Sequence, residues 1–240
     1  MTRGIYIIGT DTGVGKTAVA AGLMCLLLKN QCRAAYFKPV ASGVTMVDGV
    51  AVSVDAAFVK AASGYSEKPE QVTPFAYADA VAPHLAARMA GRPIDRNVIR
   101  KNLDELKTRY DWIVTEGAGG LAVPLNDEGF MQADLIRELK FPCLLVARAG
   151  LGTINHTLLT IDFAKRAGLI VKGIILNGMG DSPIERDNVE TIKKMSAVKT
   201  VFTLPAVSSL NTETLQAGNL GEVFEQAIRF DDIINLMEII

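Results

Sequence analysis

Nearly continuous runs of Ile, Leu and Val recur along the chain at about 4–9, 33–38, 111–116, 142–147, 170–176 and 199–203. Runs such as Cys143-Leu144-Leu145-Val146 lack the alternation of a half-exposed strand, so they predict strands buried on both faces. The stretches between them carry apolar residues at helical spacing and predict helices over 17–30, 53–63, 83–90, 95–109, 131–139, 153–167, 185–195 and part of the region after 211. Strands alternating with helices in this rhythm predict an α/β fold, with a mostly parallel central sheet flanked by helices on both faces. Segment 40–52 reads as a flexible loop, and 64–82, with its prolines and aromatics, as an irregular excursion. No internal repeat, low-complexity tract or linker breaks the pattern, so residues 1–240 are expected to form a single domain.

Composition narrows the class of partner. The chain has 25 basic and 26 acidic residues and a formal net charge of −1, with no long run of one sign. That balance gives no electrostatic reason to expect nucleic acid or an acidic membrane as partner. The N-terminus runs almost at once into strand-like Gly4-Ile5-Tyr6-Ile7-Ile8, leaving no room for a secretion signal. The most apolar helical stretch, Ala18 to Leu28, has 11 residues, short of the roughly 20 that cross a bilayer. Cys25, Cys32 and Cys143 have no metal-ligand spacing and read as small core residues of a reducing compartment. A soluble, cytoplasmic protein is the expectation.

Candidate chemistry begins at Ile7-Ile8-Gly9-Thr10-Asp11-Thr12-Gly13-Val14-Gly15-Lys16-Thr17, where an apolar strand ends, the chain turns on glycines and a helix opens. Backbone amides across Gly13, Val14, Gly15, Lys16, Thr17 and Ala18 can converge on phosphate oxygens, and the helix start aims its positive end at the same anion. Lys16 would bridge the outer phosphates and the Thr17 hydroxyl would coordinate magnesium. Five residues separate Gly9 from Gly15, where the strict spacing has four, so the loop is a variant. The expected architecture is therefore a P-loop NTPase-like three-layer sandwich.

In such sheets ligands bind beyond the carboxyl ends of the strands, so the residues following each strand are the ones to inspect. Lys38 ends the second strand in Tyr36-Phe37-Lys38-Pro39-Val40-Ala41-Ser42-Gly43 and is expected to project toward the phosphate loop. A second cation there could hold an anionic nucleophile and offset charge in phosphoryl transfer. Asp55 opens a helix with no basic neighbour in sequence and, taken alone, reads as an N-terminal helix acid. Glu116 ends the strand Trp112-Ile113-Val114-Thr115 in the manner of a Walker-B acid. Thr17, Asp55 and Glu116 are thus the candidate protein ligands for magnesium. The turn Gly117-Ala118-Gly119-Gly120 is expected to expose backbone amides beside the substrate, and Gly152-Thr153-Ile154-Asn155 opens another helix suited to an anion. Asn177 could read an adenine edge, but beside Gly178 its pattern by itself fits a turn residue better. His84 and His156 stand at helix starts without a triad or metal partner and are assigned no chemistry.

Gly9 to Thr17, Lys38 to Gly43, Glu116 to Gly120 and Gly152 to His156 together closely resemble the dethiobiotin synthetase family, over nearly the whole chain. In that family the phosphate loop is usually one residue longer than the strict motif, and several members carry glutamate at the position of Gly13. The resemblance implies an ATP-dependent cyclo-ligase in which 7,8-diaminononanoate captures CO2 as a carbamate. Phosphorylation by ATP then gives a carbamic–phosphoric anhydride, and ring closure follows. It implies that Thr12, Lys16, Lys38 and Ser42 hold the carbamate beside the γ-phosphate, with Gly119 also near the substrate. It makes Thr17, Asp55 and Glu116 magnesium ligands, and Asn177-Gly178 with Pro205-Ala206-Val207 the adenine pocket. It also implies a homodimer in which Thr153, Ile154 and Asn155 face the substrate carboxylate of a neighbouring subunit. The segment after 183 resembles the family least. Two alternatives remain open. A partitioning or positioning ATPase of the deviant P-loop class would carry a lysine early in the loop, where this chain has Asp11. A related amide-forming ligase acting on another substrate would use Lys16, Thr17 and Glu116 equally, and Lys38 with Ser42 is what distinguishes it.

Overall fold

A computed structural model describes residues 1–47 and 49–240. The chain opens with β1 (Arg3–Gly9), α1 (Lys16–Lys29) and β2 (Ala34–Phe37), followed by three short strands, β3 (Val40–Ser42), β4 (Val44–Val47) and β5 (Val50–Ser53). Then come α2 (Val54–Ser63), α3 (Pro69–Val72), β6 (Phe75–Tyr77), α4 (Pro83–Met89), α5 (Arg96–Arg109) and β7 (Trp112–Glu116). The second half alternates α6 (Gln132–Leu139), β8 (Cys143–Arg148), α7 (Thr153–Arg166), β9 (Val171–Met179), α8 (Pro183–Met195) and β10 (Thr200–Pro205). It ends with α9 (Leu220–Ala227), α10 (Phe230–Ile234) and β11 (Glu238–Ile239).

The main sheet runs β10-β9-β8-β1-β7-β2, every neighbour parallel, so the expected strands and their direction are found. Consecutive residues Ile5, Tyr6, Ile7 and Ile8 are all at most 1% exposed. Successive side chains of a strand point to opposite faces, so both faces must be covered by helices. From β1 the chain moves out to β2, returns to insert β7 and then continues on the other side through β8. The crevice beyond β1 is thus a topological switch point, where such sheets hold ligands. At the opposite end, β8 begins pairing with β1 only at Tyr6, and β11 fills the remaining edge antiparallel against Arg3 and Gly4.

Two expectations need correction. Segment 40–52 holds β3, β4 and β5: β4 and β5 form an antiparallel hairpin, and β3 pairs with β6. Val44-Thr45-Met46 and Val50-Ala51-Val52 supply the β-branched residues a hairpin favours, and Gly49 at φ +79° sits in its turn; Asp48 lies outside the described residues. Segment 64–82 is irregular over most of its length, as expected, but it also holds α3 and β6. Of the cysteines only Cys143 is fully buried, while Cys25 and Cys32 are half-buried. Among the described residues no helix is long and apolar enough to cross a membrane.

Helix α1 carries buried residues on every side, Ala18 to Met24 in unbroken sequence, as a helix enclosed by other elements must. Its Gly22 lies under Phe224 of α9, where a Cβ would come within 2.1 Å of the ring. The phosphate loop is therefore anchored through α1 to an element from the far end of the chain. Phe224→Ala should lower stability by about 3–5 kcal/mol, read as an earlier midpoint in urea unfolding; an unmoved midpoint would show that α9 adds nothing to the core.

Candidate active site

Gly9 ends β1, and the loop leaves it with the Thr10 amide donating to the Val146 carbonyl at 3.0 Å. Gly13 and Gly15 take φ of +74° and +97°, a region that L side chains rarely enter. Gly15 is constrained a second time: a Cβ there would lie 2.0 Å from Nδ2 of Asn177, which donates to the Val14 carbonyl at 3.1 Å. Asn177, on β9, is therefore built into the phosphate loop and is not a free turn residue. Lys16 opens α1 and folds back so that Nζ donates to the Asp11 carbonyl at 2.9 Å. Burial, and then the neighbouring Lys38 ammonium, depress its pKa to about 8.

The parallel register explains how Lys38 meets Glu116. Tyr36 pairs with Val114 and Phe37 with Thr115, so the next step along both strands sets Lys38 beside Glu116. Tyr36 and Lys38, two apart, share a face, and both reach that carboxylate. The Tyr36 hydroxyl donates to Oε2 at 2.7 Å, and Lys38 Nζ donates to Oε1 at 2.9 Å. Lys38 Nζ also donates to Oδ2 of Asp55 at 2.8 Å and to the Gly117 carbonyl at 2.9 Å. All three of its hydrogens are thereby engaged. Ser53 caps α2 by accepting from the Ala56 amide, which sets Asp55 in the first turn, aimed back at the sheet. Thr17 Oγ1 lies 2.8 Å from Oδ1 of Asp55 and 2.9 Å from Oε1 of Glu116.

Electrostatics follow from this packing. Lys38 is 2% exposed; burial pulls its pKa down, but Asp55 and Glu116 outweigh that and hold it up at about 12. Burial likewise opposes ionisation of Asp55, yet the Lys38 ammonium keeps it below the usual carboxylate range. Glu116, deeper at 1% exposed, is pushed upward by burial, with Lys38 and Tyr36 opposing. Among the described residues no three His, Cys, Asp or Glu side chains gather as a metal cluster. The oxygen donors here are two carboxylates and one hydroxyl.

These groups open onto a cavity of about 820 Å³. Thr12, Gly13, Gly15, Lys16, Thr17 and Ala18 form its floor, with Lys38, Ser42, Asp55 and Glu116 beside them. Ala118 and Gly119 line one side, and Asn177, Gly178, Ala206 and Val207 the other. Four groups of predicted site residues stand apart. Val14 is buried behind the loop, Gly117 faces Gln132, and Pro205 ends β10 without lining the cavity. Thr153, Ile154 and Asn155, at the start of α7, lie outside it, with Thr153 buried against Thr157. The turn after Glu116 also differs from expectation. The Gly117 amide donates to the Ile7 carbonyl and the Ala118 amide to Oε1 of Gln132, so neither is offered to a ligand.

Sequence reasoning missed several contributors. Tyr36 carried a signal, its place two residues before Lys38 on one strand. Ala80, Val81 and Ala82 form an apolar wall, and Leu210 and Thr212 close the Asn177 side; both sets lie in segments without periodicity. Gln132 and Asn188 are buried amides that bind loop backbone, Asn188 holding the Ala149 carbonyl at 2.9 Å. Nothing in the local sequence marks either one.

A loop of this form ahead of α1, set at the point where the strand order turns back, places the protein among the P-loop NTPases. An AAA domain family model matches residues 3–214. The chain belongs to the ATP-dependent dethiobiotin synthetase family and is an enzyme: it is 41% identical to the synthetase of Clostridium novyi over 88% of this chain and 90% of that one. Identity to the synthetase of Clostridium kluyveri is 37%, over 99% of both chains, and to that of Bacillus subtilis 34%, over 89% of this chain and 91% of the relative. Among solved structures, the septum site-determining protein MinD of Pyrococcus horikoshii, complexed with Mg-ADP, superposes with a TM-score of 0.59 at 20% identity, covering 98% of this chain and 94% of its own. A ParA family ATPase from Chlorobium tepidum gives 0.55 at 13% identity, covering 95% and 90%. At these identities the two share the fold.

Two outcomes are expected of the loop. Gly15→Ala, strained at positive φ and driven against Asn177, should weaken nucleotide binding by roughly tenfold or more while circular dichroism stays unchanged. Lys16 must be charged to hold a phosphate, and the free chain loses that proton as pH rises through about 8. Nucleotide affinity should accordingly fall above that pH, with proton uptake on binding, visible by calorimetry in buffers of differing ionisation heat. Flat affinity from pH 7 to 9 would contradict it.

Proposed function

We propose that the protein is a biotin-biosynthetic ligase that joins CO2 to 7,8-diaminononanoate at the expense of ATP and closes the ureido ring of dethiobiotin. The observation that carries this reading is Lys38, a buried ammonium next to the phosphate loop whose three hydrogens meet Asp55, Glu116 and Gly117. Simple nucleotide hydrolysis has no need of such a group; an anionic nucleophile does. Asp55 is the partner with solvent access, its side chain 31% exposed. It is therefore the contact Lys38 exchanges most cheaply for an incoming anion.

One amine of the substrate adds to CO2, forming a carbon–nitrogen bond and releasing a proton, which gives a carbamate. Lys38, Lys16 and the hydroxyls of Thr12 and Ser42 hold that anion beside the γ-phosphate. A carbamate oxygen attacks phosphorus, ADP leaves, and the product is a carbamic–phosphoric anhydride. The second amine then attacks the carbonyl carbon, and phosphate departs as the ring closes. Proximity and charge stabilisation carry these steps, in keeping with a site of lysines and hydroxyls to which no histidine is assigned. Ala80, Val81 and Ala82 offer an apolar wall for the alkyl chain, and Asn177, Gly178, Ala206 and Val207 a slot for adenine.

Thr17, Asp55 and Glu116 present hard oxygens that converge within 2.9 Å and suit Mg2+ accompanying the nucleotide. When bound, Mg2+ would offset the negative charge of the outer phosphates. We further read the active form as a cytoplasmic homodimer. Thr153, Ile154 and Asn155 lie outside this chain's cavity, while Leu151 and Leu159 beside them are 96% and 61% exposed. A second copy covering that face would bring the start of α7 to the neighbouring substrate's carboxylate.

Purified protein should release ADP only when diaminononanoate and bicarbonate are both supplied; release that ignores the diamine rejects the reading. Lys38→Ala should cut kcat by about 10²- to 10³-fold and leave nucleotide affinity within a few-fold. An unchanged kcat would remove Lys38 from the reaction.

A further inference from the structure

Gln132, the first residue of α6, is 1% exposed, and an uncharged amide so deeply buried must have its polar atoms satisfied. Its Oε1 accepts from the Ala118 amide at 2.6 Å, and its Nε2 donates to the Gly120 carbonyl at 3.0 Å. The first of these contacts bears on Lys38. The Gly117 carbonyl and the Ala118 N–H belong to one peptide group, which is planar and trans. The two ends of such a group point in opposite directions. Here the oxygen end takes a hydrogen bond from Lys38 Nζ at 2.9 Å, and the N–H end is held by Gln132. Turning this plane would carry the carbonyl away from Lys38 and leave a buried ammonium short of one acceptor.

A second observation points the same way. A Cβ on Gly117 would lie 2.7 Å from Oε1, 2.8 Å from Nε2 and 2.9 Å from Cδ of Gln132. Gly117 is outside the left-handed region, so its lack of a side chain answers the closeness of the Gln132 amide and not a need of the backbone.

We infer that Gln132 is a positioning residue for the reaction: it fixes the 117–118 peptide plane, and that plane orients the Lys38 ammonium toward the reacting anion. The inference rests on the reading above only in taking Lys38 as the group that meets the anion. Gln132 does not line the cavity and makes its side-chain hydrogen bonds to Ala118 and Gly120, so nucleotide binding is separable from its effect.

The test compares the unaltered protein with Gln132→Met, which keeps the volume and loses both hydrogen bonds, and Gln132→Glu, which keeps an acceptor for the Ala118 amide. In Gln132→Met, hydrogen exchange at Ala118 should accelerate, kcat should fall roughly ten- to a hundredfold, and ATP affinity should not change. Gln132→Glu should retain Ala118 protection and most of kcat. A purely structural glutamine would instead lower melting temperature and weaken all ligands together. Should the Met variant fail to fold, Gly117→Ala displaces the same amide by its added Cβ and should show the same split between kcat and nucleotide affinity. Ala118 still protected in Gln132→Met, or kcat unaltered there, overturns the proposal. Absence of diamine-dependent turnover in the unaltered protein overturns the proposed function instead, and the exchange measurement then still decides whether Gln132 holds the plane.

Discussion

A buried ion pair between Lys38 and Glu116 at the tips of adjacent strands, shared with Asp55 from the first turn of α2, is the constraint on which this site depends. Glu116 is 1% exposed and Lys38 2%; either charge alone at that depth would be expensive to keep. Each makes the other tolerable, and the Tyr36 hydroxyl completes the shell of Glu116. Because Lys38 also reaches Asp55, the same contact fixes the start of α2 against the ends of β2 and β7. A buried ion pair is weak evidence for stability, since well-packed apolar residues often do as well. Its location at the mouth of a phosphate loop accords with the chemistry proposed for Lys38.

Around this pair, distant elements shape the loops by occupying the space a Cβ would need. Asn177 stands where a side chain at position 15 would go, Gln132 where one at 117 would go, and Phe224 where one at 22 would go. In each case a residue from β9, α6 or α9 locks a turn or helix of the first half of the sheet. The phosphate loop is thus a tertiary construction, although its sequence looks local.

That division explains what could be read from the chain and what could not. The order of β1, phosphate loop and α1 was legible because each piece carries its own signal: apolar continuity, glycines, then Lys16-Thr17. Lys38 and Glu116 were legible separately, as charged residues ending strands beside the phosphate loop; their contact was not, because it depends on β7 pairing with β2. Asp55 was ambiguous, since its partner Lys38 is 17 residues away and no local pattern joins them. Gln132 and Asn188 were invisible: a buried amide serving loop backbone looks, in sequence, like any polar residue on a helix. The hairpin of β4 and β5 was missed because Gly43 and Gly49 on either side of β4 resemble loop residues when strand pairing is unseen. Thr153, Ile154 and Asn155 were placed by resemblance, and nothing within this one chain brings them to the cavity.

Charge within the site also bears on how it discriminates. Lys16 and Lys38 face Asp55 and Glu116, so formal charges cancel before any ligand arrives. On the proposed reading the cavity is therefore no standing trap for anions, and phosphate recognition is shared between Lys16 and the backbone amides of the loop and α1 N-terminus, whose directions are fixed. Lys16 shows the cost of crowding two cations together, its pKa drawn down to about 8 by burial and by Lys38. An arriving polyphosphate relieves that repulsion and restores the charge. Lys38 has no such slack, for its three hydrogens are already engaged and its pKa is held near 12. It remains charged at any working pH, and on the proposed reading what a substrate must supply to win it is geometry: an oxygen placed well enough to replace one it already has.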